Sequence, residues 1–337
     1  MKVLFHVKAI FFIAGFLSCG KEDFIQKQQP DLVLNTPSHF PTVTYRLENN
    51  TITKEKFELG KKLFYDKILS ANNTVSCASC HRQSAAFSDA GNTVSTGING
   101  HLGTRNSPSI FNLAWNPLFM WDGGIADLDL QAIAPLTNHV EMGTDAVSDI
   151  LQKLNNNTAY RTLFKKAFNT ESVTSVPFLK ALSQFMIMCV SDQSKYDSVM
   201  RKQAVFTTVE QHGYQVFQQH CSSCHTEPLF TNNTFGSIGT TSLDSGRYLV
   251  TLLEKDLYTF KVPTLRNLKY TAPYMHNGSI NNLDAVIDLI IRPKSSANVH
   301  ESVKNGINIS NQEKQDLISF LNTLNDEKFI TNPLLSN

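Results

Sequence analysis

Cys77-Ala78-Ser79-Cys80-His81 and Cys221-Ser222-Ser223-Cys224-His225 repeat one pattern: two thiols three positions apart, with an imidazole directly behind. A Cys-x-x-Cys-His run is the attachment signature of c-type haem. The thiols add across the haem vinyl groups, and the histidine reaches the iron as its proximal ligand. A lone Cys-x-x-Cys also serves zinc or thioredoxin-like dithiol chemistry. Two copies, each with its histidine, set that alternative behind two covalent haems.

The remaining cysteines point elsewhere. Lys2 and Lys8 precede an apolar run from Ala9 to Leu17, the pattern of an export signal and too short to span a bilayer. It ends at Leu17-Ser18-Cys19-Gly20, a loose lipobox in which Cys19 becomes the lipidated N-terminus. An ordinary signal peptide with an incidental cysteine is the competing reading. Residues 1–18 are therefore expected to be a signal peptide, and 19–46, polar and spaced by Pro30, Pro37 and Pro41, a tether. The expected location is the periplasm, or the outer membrane or cell surface, with the membrane touched only through the lipid. Haem attachment outside the cytoplasm agrees with export. Cys189, alone in an apolar stretch, reads as a buried inert thiol. The formal net charge of +1 gives no reason to expect nucleic acid or another polyanion as partner.

The elements that must hold the haems come in two sets. Helical patterning over Lys54–Asp66, with Phe57 and Phe64 two turns apart, leads into the first motif. Residues 82–145 are rich in Gly, Asn, Ser and Pro, a long irregular stretch of the kind that carries function. Helical patterning returns from Val147 to about Val205. The scheme then restarts. A capping box at Thr208-Val209-Glu210-Gln211 opens an apolar face of Val209, Tyr214, Val216 and Phe217 ahead of Cys221. A second box, Ser310-Asn311-Gln312-Glu313, opens a helix carrying Leu317, Phe320, Leu321 and Leu324. No alternation supports a large sheet. The expected class is mainly α: two cytochrome c-like haem domains, 47–205 and 206–330, packed around an interdomain seam.

From about Leu59 to Asn325 the chain resembles the bacterial dihaem cytochrome c peroxidases and their MauG-type relatives. The likeness is carried by Leu59–Asp66, Ser76–Asp89, Gly103–Ser109, Trp121-Asp122-Gly123, Val140-Glu141-Met142-Gly143, Phe260–Asn267 and Thr271–Gly278, in the family order. The resemblance implies that peroxide reacts at the N-terminal haem (proximal ligand His81) and electrons arrive at the C-terminal one (proximal ligand His225). It implies that Glu141 is the distal acid–base group and Gln131 the distal amide that positions peroxide. Trp121 matches the tryptophan between the haems, which by itself would read as an interdomain core aromatic. Asn106, Thr271 and Pro273 match residues whose oxygens hold a calcium ion, an oxygen-only set suited to that ion.

Two positions depart from the pattern. Where many family peroxidases place a loop histidine that closes the N-terminal haem, this chain has Ile98. His101 is three residues out of register, so a permanently open N-terminal haem is expected, with His101 as a switchable ligand the alternative. Where the family supplies a methionine or tyrosine to the C-terminal haem, this chain has Ile290, which cannot bind iron. Met275, His276 and His300 are the replacement candidates, with His276 read rather as a hydrogen-bonding residue, and a five-coordinate haem is the other outcome.

The resemblance thus implies a peroxidase that reduces hydrogen peroxide with electrons from a small cytochrome or copper protein, working alone or as a homodimer. Two alternatives stay open. One is a MauG-like enzyme that oxidises a side chain of a partner protein. The other is a dihaem electron carrier with both irons fully ligated.

Overall fold

The computed structural model describes residues 1, 32–239, 243–296 and 298–337. The export signal and Cys19 lie outside the described residues. Among those described, no helix is long and apolar enough to cross a membrane.

Helices dominate, as the periodicity requires. The first half holds α1 (Lys54–Tyr65), α2 (Cys77–Cys80), α3 (Leu128–Gln131), α4 (Ile133–Thr137), α5 (Val147–Asn156), α6 (Thr158–Phe168), α7 (Ser175–Met188) and α8 (Lys195–Met200). The second holds α9 (Thr208–His220), α10 (Tyr248–Thr251), α11 (Leu283–Ile291), α12 (Glu301–Lys304), α13 (Asn311–Asn322) and α14 (Glu327–Ile330). Between α9 and α11 a two-stranded antiparallel ribbon pairs β1 (Phe235–Gly236) with β2 (Phe260–Lys261), Phe235 opposite Lys261.

Each haem motif follows a helix that crosses another helix at a glycine. In α1 a Cβ at Gly60 would stand 1.9 Å from the Ala181 carbonyl oxygen of α7. In α9 a Cβ at Gly213 would stand 1.9 Å from the Asp316 carbonyl oxygen of α13. Glycine at these two points lets the backbones touch, and both motifs leave the crossing at a fixed angle. Phe57, Phe64 and Phe185 fill one side of the α1–α7 crossing; Leu59, Leu63, Phe178 and Leu182 fill the other. Phe217, Phe230, Leu317, Phe320 and Leu324 form the core around α9 and α13. α7 is buried on nearly all sides, which its almost wholly apolar sequence permits.

The expected helix Lys54–Asp66 is present one residue shorter, capped by Thr53, whose side chain accepts the Lys56 N–H at 3.2 Å. The Ser310–Glu313 box is present, and Glu313 accepts the Ser310 N–H at 2.7 Å. The other box sits one residue earlier than the sequence suggested. Thr207 is the cap: its hydroxyl accepts the Glu210 N–H at 3.3 Å, and the Glu210 carboxylate accepts the Thr207 N–H at 2.7 Å.

The expected tether needs a larger correction. Its described part, residues 32–46, is packed onto the fold. The Trp115 indole donates to the Pro41 carbonyl at 2.8 Å, His39 meets Asp197 at 2.9 Å, and Phe40 is buried against Trp115. Prolines that suit a linker also suit an extended segment lying in a groove. The C-terminal tail crosses over as well. Phe329 and Leu335 sit in the core with Phe87 and Phe111, and Tyr65 donates its hydroxyl to the Leu335 carbonyl at 2.7 Å.

An ion pair ties the second half to the first. Arg266 grips Asp197 of α8 through two hydrogen bonds of 2.9 and 2.7 Å, and the two residues are 1% and 0% exposed. Burial pushes the Asp197 carboxyl up, but Arg266, Ser194 and His39 outweigh it and bring it down to about 2.

Candidate active site

Ser76 and Ser79 form a capping box around α2, so Cys77 and Cys80 project from one turn. His81 follows at the helix end, its N–H on the Cys77 carbonyl at 2.9 Å. Its Nδ1 lies 2.9 Å from the Phe87 carbonyl, which leaves Nε2 for a ligand. Burial holds this imidazole below its ordinary pKa, although the Phe87 contact opposes the shift, so the neutral, ligating form is favoured. The second motif is built alike. The His225 N–H meets the Cys221 carbonyl at 2.9 Å, Nδ1 lies 3.2 Å from the Phe230 and 3.1 Å from the Pro263 carbonyls, and burial lowers its pKa too. Among the described residues Cys77, Cys80, Cys221 and Cys224 form no disulfides.

Both motifs open into one continuous cavity of about 1380 Å³. That exceeds the roughly 300–1,000 Å³ of an ordinary small-molecule pocket. Paired free thiols, a neutral histidine with one nitrogen anchored, and a large cavity touching both motifs fit two covalently held haems.

Glu141, Gln131 and Trp121 line the same cavity. Glu141 ends the turn after α4, and its Oε1 accepts the Asn138 side-chain N–H at 2.8 Å. Burial raises its pKa; the Asn138 bond works against that rise. Gln131 closes α3 and donates Nε2 to the Met120 sulfur at 2.9 Å. Its Oε1 is buried with no hydrogen-bond partner among the described residues. A buried acceptor without a donor is costly and asks for a ligand that brings a proton. Trp121 is bolted at both ends: its indole donates to the Asn106 carbonyl at 2.8 Å, and its own carbonyl accepts the Lys261 N–H at 2.7 Å.

Asn106, Thr271 and Pro273 also border the cavity. The Asn106 side-chain nitrogen donates to the Asn92 and Thr93 carbonyls at 3.2 and 3.1 Å, which turns its Oδ1 the other way. Among the described residues no cluster of three or more His, Cys, Asp or Glu could hold a metal ion.

At the two departures the structure is explicit. Ile98 is buried; its backbone N–H donates to the Glu141 carbonyl at 2.8 Å, and its side chain packs on Gly143. His101 is exposed and takes no part in the cavity wall. Ile290 on α11 faces the cavity, as do Met275, His276 and His300. His276 is buried and stacks on Phe260 at 3.8 Å. The His300 Nδ1 lies 2.8 Å from the Ser302 hydroxyl.

Residues 54–205 match the family model of the di-haem cytochrome c peroxidases, and residues 210–325 that of cytochrome c. The methylamine utilization protein MauG of Methylophilus methylotrophus is 35% identical over 82% of this chain and 84% of its own. The chain belongs to the di-haem cytochrome c peroxidase/MauG family. The cytochrome c peroxidase Ccp of Escherichia coli K12 is 32% identical over 80% of this chain, which spans 58% of that longer protein. A crystal structure of a MauG-like protein associated with microbial copper homeostasis superposes with a TM-score of 0.81 at 31% identity, covering 90% of this chain and 99% of that one. Two haems on a mainly helical frame follow from this membership, in agreement with the sequence expectation.

Sequence reasoning missed the groups that tune this family site. Asn138 stands three residues before Glu141 and accepts the Val140 N–H, an Asx-turn spacing that could have flagged it. Met120 and Lys261 carried no signal of their own; the fold alone brings them to Gln131 and Trp121.

Proposed function

We propose that the protein is a dihaem cytochrome c peroxidase that reduces hydrogen peroxide to two waters. The two electrons would come singly from a small donor cytochrome or copper protein, and the two protons that complete the second water from solvent. The observation that carries this reading is that the cavity lined by Cys77, Cys80 and His81 is also lined by a carboxylate whose pKa is raised and by an amide whose buried oxygen has no partner among the described residues. When bound, the N-terminal haem supplies electrons and an open iron position. The chain's own residues then handle the protons. Glu141 takes the proton from the inner peroxide oxygen and returns it to the outer one, so that the O–O bond breaks heterolytically. Gln131 Oε1 accepts a hydrogen bond from peroxide and holds it in line. His225 anchors the electron-receiving haem, and Trp121 lies on the path between the two. Residues 47–205 do the chemistry and 206–330 receive the electrons.

Asn106 Oδ1 with the Thr271 and Pro273 carbonyls would hold one calcium ion between the halves, as an amide-and-carbonyl set fits. Chelator-induced loss of activity, restored by calcium alone, tests this. Export with lipidation at Cys19, and pairing with a second copy, complete the proposal. Mass spectrometry of the mature N-terminus and light scattering test those two parts.

A MauG-like reading has one specific support: Ile98 replaces the closing histidine and is pinned to the Glu141 turn, while the exposed His101 is outside the cavity. Steady-state turnover with reduced cytochrome c and peroxide separates the readings. Brisk turnover supports the peroxidase. Negligible turnover with peroxide-oxidised haems favours side-chain oxidation of a partner. Two low-spin, fully ligated haems that ignore peroxide would leave only an electron carrier.

A further inference from the structure

Three permanent cations border the cavity among the described residues. Arg105 is engaged by Asp122 at 2.5 Å and Asp244 at 2.7 Å. Arg266 is engaged by Asp197 at 2.7 Å. Lys261 is the exception. Neither a carboxylate nor a hydrogen bond reaches its ammonium among the described residues, and desolvation alone acts on it, lowering its pKa to about 8. The two aspartates that border the cavity, Asp122 and Asp244, are both engaged by Arg105.

The backbone leaves Lys261 little freedom. It is fixed in β2 opposite Phe235, and its N–H is held by the Trp121 carbonyl at 2.7 Å. Two residues on, the Pro263 carbonyl lies 3.1 Å from His225 Nδ1. Lys261 thus sits at the seam between the proposed inter-haem aromatic and the proximal side of the second haem. A half-buried ammonium that borders the cavity with no anion beside it favours a carboxylate from the cavity's occupant. A haem tethered through its vinyl groups carries two carboxylates, its propionates, on the opposite edge.

We propose that Lys261 is the counter-ion of a haem propionate at the seam between the two haem sites. It is a positioning residue: it holds the carboxylate and, as a nearby positive charge, favours the reduced iron. The proposal rests on the two-haem reading and not on the peroxidase reading.

The test uses the full holoprotein, with haem content fixed by pyridine haemochrome absorbance. Wild type, Lys261→Met and Lys261→Arg are titrated potentiometrically while each haem's band is followed. In Lys261→Met one haem should fall by at least tenfold in its reduced-to-oxidised ratio at a set potential, about 59 mV for a one-electron couple. Its propionate bending modes in the resonance Raman spectrum should move with it, and Lys261→Arg should restore both. The haem that moves is the one that carries the propionate. Unchanged potentials and modes in a fully loaded Lys261→Met protein would overturn the pairing. So would a wild-type potential that breaks near pH 8 while Lys261→Arg does not, because a paired ammonium keeps its proton there. A wild type without two haems would instead defeat the two-haem reading itself.

Discussion

Replacing Glu141 by glutamine isolates one step. Glutamine keeps the shape and an oxygen that accepts the Asn138 N–H, now at 2.8 Å from Oε1, so the turn that holds it is preserved. What disappears is the ability to take up and return a proton. General acid–base groups of this kind contribute about 10²–10⁴ in rate, or roughly 3–5.5 kcal/mol of barrier. Peroxide-dependent oxidation of reduced cytochrome c should fall by that factor, with both haems attached and their reduced spectra unchanged. The pH profile gives an independent check. Burial raises the Glu141 pKa, so in wild type the base form, and with it kcat/KM, should rise above the ordinary carboxylate range. That limb should vanish in Glu141→Gln. In Asn138→Ala it should move to higher pH, because the bond that opposes the rise is gone. Stability should run the other way. A carboxyl whose folded pKa is raised favours the fold below its unfolded pKa and loses that contribution as pH rises through the folded value. At neutral pH glutamine should therefore cost no stability. A Glu141→Gln protein with wild-type turnover, or one that is inactive only because it melts earlier at neutral pH, would refute the reasoning.

Three further outcomes are expected. Trp121→Phe removes the bond to the Asn106 carbonyl and should slow electron passage between the haems by about tenfold, some 1.4 kcal/mol of barrier, in stopped-flow traces of the pre-reduced protein; an unchanged rate would take Trp121 off the path. Ile290→Met should place a thioether in the cavity from α11 and convert the C-terminal haem to a six-coordinate, low-spin form of higher potential; an unaltered spectrum would mean that another residue holds the position. Arg266→Met strands the buried Asp197 carboxylate and should cost about 3–5 kcal/mol in denaturant unfolding. The Asp197 carboxyl, held at about 2, favours the fold above the ordinary carboxylate range and loses that contribution as pH falls towards 2. Arg266→Met should lack this acid dependence.

Covalent chemistry and local periodicity were legible from the chain alone. Thiols at i and i+3 with histidine next define haem attachment whatever surrounds them. Phe57 and Phe64 mark the buried face of α1, and Ser310 with Glu313 marks the start of α13, because helix geometry fixes which neighbours meet. Positions 98 and 290 were legible as departures, because an aliphatic side chain cannot bind iron in any fold. Contacts between distant segments were not legible. Nothing local distinguishes a proline-spaced tether from residues 32–46 lying under Trp115, or a free tail from Leu335 beneath Tyr65. Nor does the chain show that, among the described residues, Gln131 Oε1 is left without a partner, Asn138 holds Glu141, and Lys261 alone of the cavity's permanent cations lacks an acid. Bonding capacity belongs to the residue type and is written in the order of residues. Burial, partner choice and proton affinity depend on which remote groups exclude water together, and that is decided only when the chain closes on itself.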